Sequence, residues 1–209
     1  SHSIHLKLLA EDALSLPVRT GKARVIGIEP ASLVTKSLVR EVKTDDAGCF
    51  QSALNPGLTK IAVIERHKRT GKLGIGILEG YGLTGGAIAT TISHDSHNIV
   101  VAGDNDPDML LAVRELADMG GGIVSVHGGS IRRLPLPIAG LMTSADPQEV
   151  NAVLHDMLVA ARAELGIPED VEPFMTLSFM ALPVIPELKL TARGLFNVNT
   201  FSFVGVEAD

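Results

Sequence analysis

Residues 93–98 form the densest group of chemically active side chains in this sequence. Six consecutive positions carry two imidazoles, one carboxylate, two hydroxyls and one amide. Such a set can bind a metal ion, relay protons or hydrogen-bond a heterocycle. His94 and His97 are three positions apart and would point to opposite faces of a strand, so a metal shared by both requires a loop. The alternative is a solvated turn built on Asp95 or Asn98.

A second group of polar side chains, at residues 65–69, directly follows the apolar run 61–64. If that run is a strand, Glu65 and His67 lie at its end, where a carboxylate and an imidazole can border a cleft. The alternative is a strand end that becomes exposed to solvent. For residues 93–98, the position between two apolar runs favours a functional role, because a plain turn is normally built from Gly or Pro.

Other motifs that suggest chemistry have simpler explanations. Residues 80–85 match the dinucleotide-binding pattern G-x-G-x-x-G, but a strand-like run follows where that pattern requires a helix. Residues 104–108 have the acidic spacing of a calcium loop, but Met109 occupies the position that demands glycine. Cys49 has no neighbouring histidine pattern, and neither H-x-H nor H-E-x-x-H occurs in the sequence. The sequence by itself therefore shows no complete hydrolytic metal site.

The composition argues against several classes of protein. Apolar residues make up 45% of the 209 and aromatic residues only 3%, so the core should be aliphatic. The net charge is -6 and no stretch concentrates Lys or Arg, which argues against a nucleic-acid partner. No apolar run reaches the roughly 18 to 20 residues that span a bilayer, and no leader pattern is present. The single cysteine excludes an internal disulfide and indicates a reducing compartment, so we predict a cytoplasmic location.

Hydrophobic patterning predicts an α+β fold with a mixed β-sheet. Continuous apolar runs are typical of strands buried on both faces, and four are present: 61–64, 73–78, 87–92 and 99–102. Further strands are predicted at 24–28, 33–42, 188–190 and 201–206. Gly128-Gly129, between two apolar runs, predicts a hairpin.

At least two amphipathic helices are predicted. Asp106 and Pro107 provide an N-cap and a first-position proline for one of them. Asp146 and Glu149 form an acidic version of the capping box for the second. Residues 174–182, which lie between two prolines, predict a third, short helix.

Several long stretches of this chain match one family. They are residues 60–67, 85–89, 93–99, 119–122, 134–142, 173–179 and 181–186, together with 34–36 and 38–42. These stretches resemble the C-terminal region of bacterial and archaeal adenine deaminases, which belong to the amidohydrolase superfamily. The resemblance covers nearly the whole chain.

The resemblance implies a hydrolase that converts adenine to hypoxanthine and ammonia in purine salvage. Family members hold a divalent metal, manganese or iron, in a β/α barrel, and that barrel is absent from this chain. We therefore expect no metal or other cofactor in this chain, which alone should be inactive. Adenine and the barrel portion of the same protein are the expected partners. A homo-oligomer is also expected, with no nucleic acid or membrane involved.

The resemblance makes the polar segments candidates for a surface that faces the active site. The candidate set is Glu65, His67, His94, Asp95, His97 and Asn98. None is expected to ligate the metal, although His94 and His97 could hydrogen-bond residues that do.

Turn residues at 45–48 and 55–57 bracket a polar loop, which predicts a division of the chain around residues 46–57. Residues 1–50 are expected to be the β-strand segment, with its linker, of a small β-sandwich domain. Residues 51–209 are expected to be the adenine deaminase C-terminal α/β domain. Two alternatives stay open: a non-catalytic accessory domain that stabilises a barrel or a dimer, and a stand-alone domain that binds a small molecule.

Overall fold

Strands dominate the computed structural model, which describes residues 4–209. The strands are β1 (Lys22–Ile28), β2 (Thr35–Glu41), β3 (Leu58–Ile64), β4 (Leu73–Glu79), β5 (Gly86–Thr90), β6 (Ile99–Gly103), β7 (Gly122–His127), β8 (Ser130–Pro135), β9 (Leu188–Thr191), β10 (Gly194–Asn197) and β11 (Ser202–Phe203). The helices are α1 (Asp106–Asp118), α2 (Pro147–Ala163) and α3 (Pro173–Phe179), and Ser52–Leu54 forms one 3-10 turn.

Eight of the strands form one mixed sheet, in the order β2-β1-β4-β3-β6-β5-β7-β8. Every neighbouring pair is antiparallel except β1 and β4, which run parallel. The other three strands form a small antiparallel sheet, β11-β10-β9. The predicted α+β fold with a mixed sheet is confirmed.

The central strands are buried on both faces because successive side chains alternate between two cores. In β3, Ile61 and Val63 belong to one apolar cluster, which also contains residues of α2, α3 and the small sheet. Ala62 and Ile64 belong to the other cluster, which contains the apolar face of α1. This alternation follows from the period of two along a strand. Because both faces of β3 are buried, residues 61–64 are continuously apolar, and the prediction of a strand buried on both faces is confirmed.

The helices begin at polar caps. Asp146 caps α2 as predicted, because its carboxylate accepts a 2.8 Å hydrogen bond from the Gln148 amide. The prediction that Asp106 caps α1 is wrong. Asn105 is the cap, and its side chain accepts from the Asp108 amide at 2.9 Å. Asp106 is the first residue of the helix, and its carboxylate instead lies 2.6 Å from the buried Lys60 ammonium.

The two N-terminal strands lie at one edge of the large sheet. β1 pairs with β4 through Ile26↔Leu78 and Gly27↔Glu79. They also bury a third apolar cluster, with Val25 and Phe50 at its centre. The division of the chain near residue 50 stays a prediction.

Glycines mark one tight turn and one close approach in this fold. Gly128 and Gly129 have φ values of 54° and 80° in the turn between β7 and β8, so the predicted hairpin is confirmed. Gly74 in β4 faces the small sheet, where a Cβ would lie 2.0 Å from the Thr191 carbonyl oxygen. The predicted final strand at 201–206 is shorter than expected, because only Ser202–Phe203 pairs with β10. No helix within residues 4–209 is long and apolar enough to cross a membrane.

Candidate functional site

The two polar segments of the sequence meet at one end of the large sheet. β3 and β6 are antiparallel neighbours, and Ile64 at the end of β3 pairs with Ile99 at the start of β6. The residues that leave β3 therefore lie beside those that enter β6. The His67 Nε2 atom lies 2.9 Å from the Ser96 carbonyl oxygen, which joins the segments directly. We call residues 65–67 and 93–98 the polar cluster.

Residues 93–98 connect β5 to β6 and do not continue either strand. The Ser93 carbonyl accepts a 2.7 Å hydrogen bond from the His97 amide, which closes a tight turn. The Ser93 and Ser96 hydroxyls lie 3.3 Å apart inside it. The expected loop is therefore present, and it exposes Asp95 and Ser96 while Ser93 is buried.

His94 is partly buried against the end of α3. Its ring lies 4.3 Å, centroid to centroid, from the Phe179 ring, at an interplanar angle of 38°. Its backbone amide donates to the Ser178 carbonyl at 3.3 Å. The imidazole is thus oriented by an aromatic contact, while the residue stays partly exposed.

His97 and Asn98 carry polar atoms that are buried without a hydrogen bond. Within residues 4–209, neither the His97 Nδ1 atom nor the Asn98 Oδ1 atom has a partner. His97 also adopts the left-handed conformation, with φ at 48°. Burial, and next the charge of Arg66, lower the pKa of His97 below its ordinary value, so the neutral imidazole is favoured at neutral pH.

Glu65 turns back onto its own loop. Its carboxylate accepts hydrogen bonds from the amides of His67 (2.5 Å), Lys68 (2.8 Å) and Thr70 (3.0 Å), and from the Thr70 hydroxyl (2.8 Å). Burial alone would raise the pKa of this carboxyl, but the hydrogen bonds from Thr70, His67 and Lys68 outweigh it and lower the pKa to about 2. Glu65 is therefore an anion whose oxygens are already used to shape residues 65–70.

Sequence reasoning missed Arg66, which is buried at the centre of the cluster with 2% of its surface exposed. Its guanidinium donates to the carbonyl of His97 and, at 2.9 Å, to that of Ala139. Burial lowers its pKa, although an arginine stays protonated at ordinary pH. The apolar pattern carried no signal for this burial, because β3 ends at Ile64 and is buried on both faces.

The polar cluster can orient a ligand or carry a proton, but it does not make a metal centre. Its accessible groups are the imidazoles of His67 and His94 and the carboxylate of Asp95. Within residues 4–209, no three His, Cys, Asp or Glu side chains are arranged to hold a metal ion. A catalytic zinc site, for comparison, uses three protein ligands. The residues described here do not fit one.

The fold and its polar cluster belong to a chain that matches a known family over most of its length. Residues 32–202 match the family model described as the adenine deaminase C-terminal domain. The chain belongs to this family. All six candidate residues and Arg66 fall inside the part that matches the adenine deaminase C-terminal domain.

Curated relatives show the same relationship over almost the whole chain. An adenine deaminase of Nitratidesulfovibrio vulgaris (strain Hildenborough) is 58% identical over 205 residues, which are 98% of this chain and 35% of that protein. Adenine deaminase 2 of Carboxydothermus hydrogenoformans is 47% identical over 98% of this chain and 36% of its own length. An adenine deaminase of Clostridium acetobutylicum is 44% identical, again over 98% and 36%. The chain thus spans about a third of these adenine deaminases.

Proposed function

We propose that this chain acts as the C-terminal domain of an adenine deaminase, and that its polar cluster faces the active site of the complete enzyme. The reaction is the hydrolysis of adenine to hypoxanthine and ammonia, a step of purine salvage. The observation that carries the proposal is the meeting of residues 65–67 and 93–98 at one end of the sheet, through the 2.9 Å contact of His67 with Ser96, in a chain of this family.

The chemistry of the cluster suits a purine and a proton transfer. Adenine offers ring nitrogens and an exocyclic amine, which pair with imidazoles, amides and carboxylates. Asp95 is exposed and His94 is partly exposed, so both can reach a substrate held by another part of the enzyme. The neutral form of His97, favoured by burial, is the form that can accept a proton.

The metal of the reaction belongs, in this proposal, to an amidohydrolase β/α barrel outside this chain. Manganese or iron there would supply the activated water. The residues of this chain would orient adenine, exclude bulk water or hold a proton. The barrel portion of the same protein and a second copy in a homo-oligomer are the proposed partners. A cytoplasmic location is supported by the use of a single cysteine.

The test uses the full-length enzyme with single substitutions in the cluster. His94→Ala, His97→Ala and Asp95→Asn are each compared with wild type by ammonia release from adenine and by thermal melting. Loss of a proton-transfer or orienting group should lower kcat by about 10²- to 10⁴-fold. Loss of a ground-state hydrogen bond to adenine should raise KM with kcat unchanged.

His155→Ala is the matched control, because His155 is an exposed histidine on α2, outside the cluster. It should leave both kinetic constants at their wild-type values. If all three cluster variants also keep wild-type kcat and KM, the cluster has no part in the reaction. That result would favour a non-catalytic domain that only stabilises the barrel or a dimer.

A further inference from the structure

We infer that Arg66 is a positioning residue that locks residues 93–98 into one conformation by holding two loops through their backbone carbonyls. This inference rests on the proposed function of the polar cluster. It concerns a side chain that touches none of the reacting atoms itself. Its role is to fix the backbone that carries His94, Asp95 and His97.

The first support is the place of Arg66 in the sheet. It lies two residues after the end of β3, and it is buried, with 2% of its surface exposed. The loop 93–98 lies between β5 and β6, and β6 is the direct neighbour of β3. A side chain that follows β3 can therefore reach the end of that loop, where the guanidinium donates to the His97 carbonyl.

The second support is that the guanidinium donates to backbone carbonyls of two different loops. One is the carbonyl of His97, and the other is that of Ala139, 2.9 Å away in the loop after β8. Arginine presents several donors in one rigid plane, which lets a single side chain bridge two acceptors. Lysine offers a single nitrogen on a flexible stem, so it cannot hold both carbonyls in the same geometry.

The third support is that the second loop is itself anchored. Gly140 has a φ of 74° and lies directly against the guanidinium, since a Cβ there would be 3.0 Å from the Arg66 Nη1 atom. The Gly140 carbonyl accepts a 2.5 Å hydrogen bond from the hydroxyl of Thr91, the residue directly after β5. Arg66 thus ties the loop 93–98 to a loop that is fixed to the sheet.

The contact with Arg66 fixes the backbone of His97, because both its amide and its carbonyl are then hydrogen-bonded. Its amide donates to the Ser93 carbonyl at 2.7 Å, and its carbonyl accepts from Arg66. Together these contacts hold a residue in the left-handed region, with φ at 48°. Release of one contact would let the turn relax and shift the side chains of His94 and Asp95. A displacement of about 1 Å can lower turnover by about 10²-fold.

The test compares Arg66→Lys with Arg162→Lys in the full-length enzyme. Arg162, on α2, also clamps backbone carbonyls, at 2.5 Å from Val171 and 3.3 Å from Ile167, but outside the polar cluster. Both variants lose a carbonyl clamp and should lose similar stability in a thermal melt. Only Arg66→Lys should lower kcat, by about ten- to a hundredfold, at a temperature where both are folded.

A second pair of variants keeps the arginine and covers the case in which Arg66→Lys does not fold. Gly140→Ala pushes a methyl group against the guanidinium. Gly129→Ala introduces a similar backbone strain at φ 80°, in a hairpin turn with no atom within 4 Å of the new Cβ. Gly140→Ala should lower kcat beyond any effect of Gly129→Ala.

Two results would overturn the inference. One is a wild-type kcat in both Arg66→Lys and Gly140→Ala. The other is an equal loss of kcat in each variant and its control, which would mean that only general stability matters. These two results can be distinguished from a result that contradicts the proposed function itself. In that case His94→Ala, His97→Ala and Asp95→Asn would all keep wild-type kinetics. If those three are impaired and Arg66→Lys is not, the cluster acts without Arg66.

Discussion

The side chains of the polar cluster differ in the number of hydrogen bonds that they make within the protein. Of the two candidate acids, Glu65 and Asp95, Glu65 is the more tightly held. Four hydrogen bonds from its own loop keep it ionised. Its carboxylate therefore supports the shape of residues 65–70, and the groups free to meet a substrate lie on the neighbouring loop. The proposed role of Glu65 at the active site is then most simply exerted through His67.

The charge of Glu65 predicts a pH effect on stability. Its pKa is about 2 in the folded protein and 4.5 ordinarily, so its contribution is present above about pH 4.5 and is lost as the pH falls toward 2. Wild type should therefore lose more stability between pH 4.5 and 2 than Glu65→Gln does, in urea unfolding. Glu11→Gln, at an exposed glutamate, should follow wild type. Parallel curves for wild type and Glu65→Gln would contradict this explanation.

Lys189 predicts a second pH effect on stability, in the alkaline range. This lysine in β9 is fully buried, and its ammonium donates to the Leu33 carbonyl at 2.8 Å. Burial lowers its pKa to about 8, against 10.5 ordinarily. Between these values the unfolded chain binds more protons than the folded one, so this group should make stability rise with pH.

The measurement for Lys189 is urea unfolding at several pH values from about 8 to 10. Stability of the wild type relative to Lys189→Met should rise across this range, because methionine fills a similar volume and does not titrate. Lys36→Met, on β2, is the control for loss of an exposed lysine. A constant difference between wild type and Lys189→Met would show that the ammonium stays charged in the folded protein.

At the scale of the elements, the small sheet depends on close contact with β4. Gly74 and Gly76 both lie in β4 and both face this contact, but a Cβ at Gly74 would be 2.0 Å from the Thr191 carbonyl oxygen. A Cβ at Gly76 would meet Leu190 and Ile61 at ordinary distances of 3.5 to 3.6 Å. The spacing between the two sheets is therefore set by Gly74.

Gly74→Ala should destabilise the protein by about 1 to 3 kcal/mol, since the backbone must move to admit the methyl group. Gly76→Ala should cost clearly less, because its methyl group enters ordinary van der Waals contact. Thermal or urea unfolding of the two variants beside wild type measures the difference. Equal loss in both would indicate that the small sheet moves away from β4 at little cost.

At the scale of the whole molecule, the chain covers about a third of the length of its adenine deaminase relatives. Whether the isolated chain has any deaminase activity must therefore be tested separately. Residues 4–209 bring no three metal-ligating side chains together. We therefore expect the isolated chain to release no ammonia from adenine when manganese or iron is added. A full-length adenine deaminase under the same conditions is the positive control.

Adenine binding to the isolated chain, measured by calorimetry, distinguishes the remaining possibilities. The proposed domain of a larger enzyme should bind adenine weakly or not at all, since the cluster supplies one side of a site. Tight binding without turnover would instead support a stand-alone domain that binds a small molecule. Ammonia release that persists after removal of contaminating enzyme would contradict the assignment of the metal to another part of the protein.

Much of the fold could be predicted from local patterns. Doubly buried strands, the hairpin at Gly128-Gly129 and the cap at Asp146 each depend on residues close together in the chain, and all are confirmed. The cap of α1 could not be assigned in the same way, because Asn105, Asp106 and Asp108 are all acceptable caps by residue type. In the structure the Asp106 carboxylate binds Lys60 on β3 and does not cap the helix, and Asn105 is the cap.

The sequence by itself determined the fold class and the polar segments, because these follow from spacing and residue type along the chain, and its resemblance to known sequences indicated the family. Only the tertiary structure decided that residues 65–67 and 93–98 lie together and that Arg66 is buried between two loops. The partners of Arg66, at His97 and Ala139, are 31 and 73 residues away along the chain. Carbonyl groups occur at every position, so no residue pattern marks those that bind an arginine. The pairing of β3 with β6 brings the His97 carbonyl to Arg66, and the loop after β8, anchored through Thr91, brings the Ala139 carbonyl.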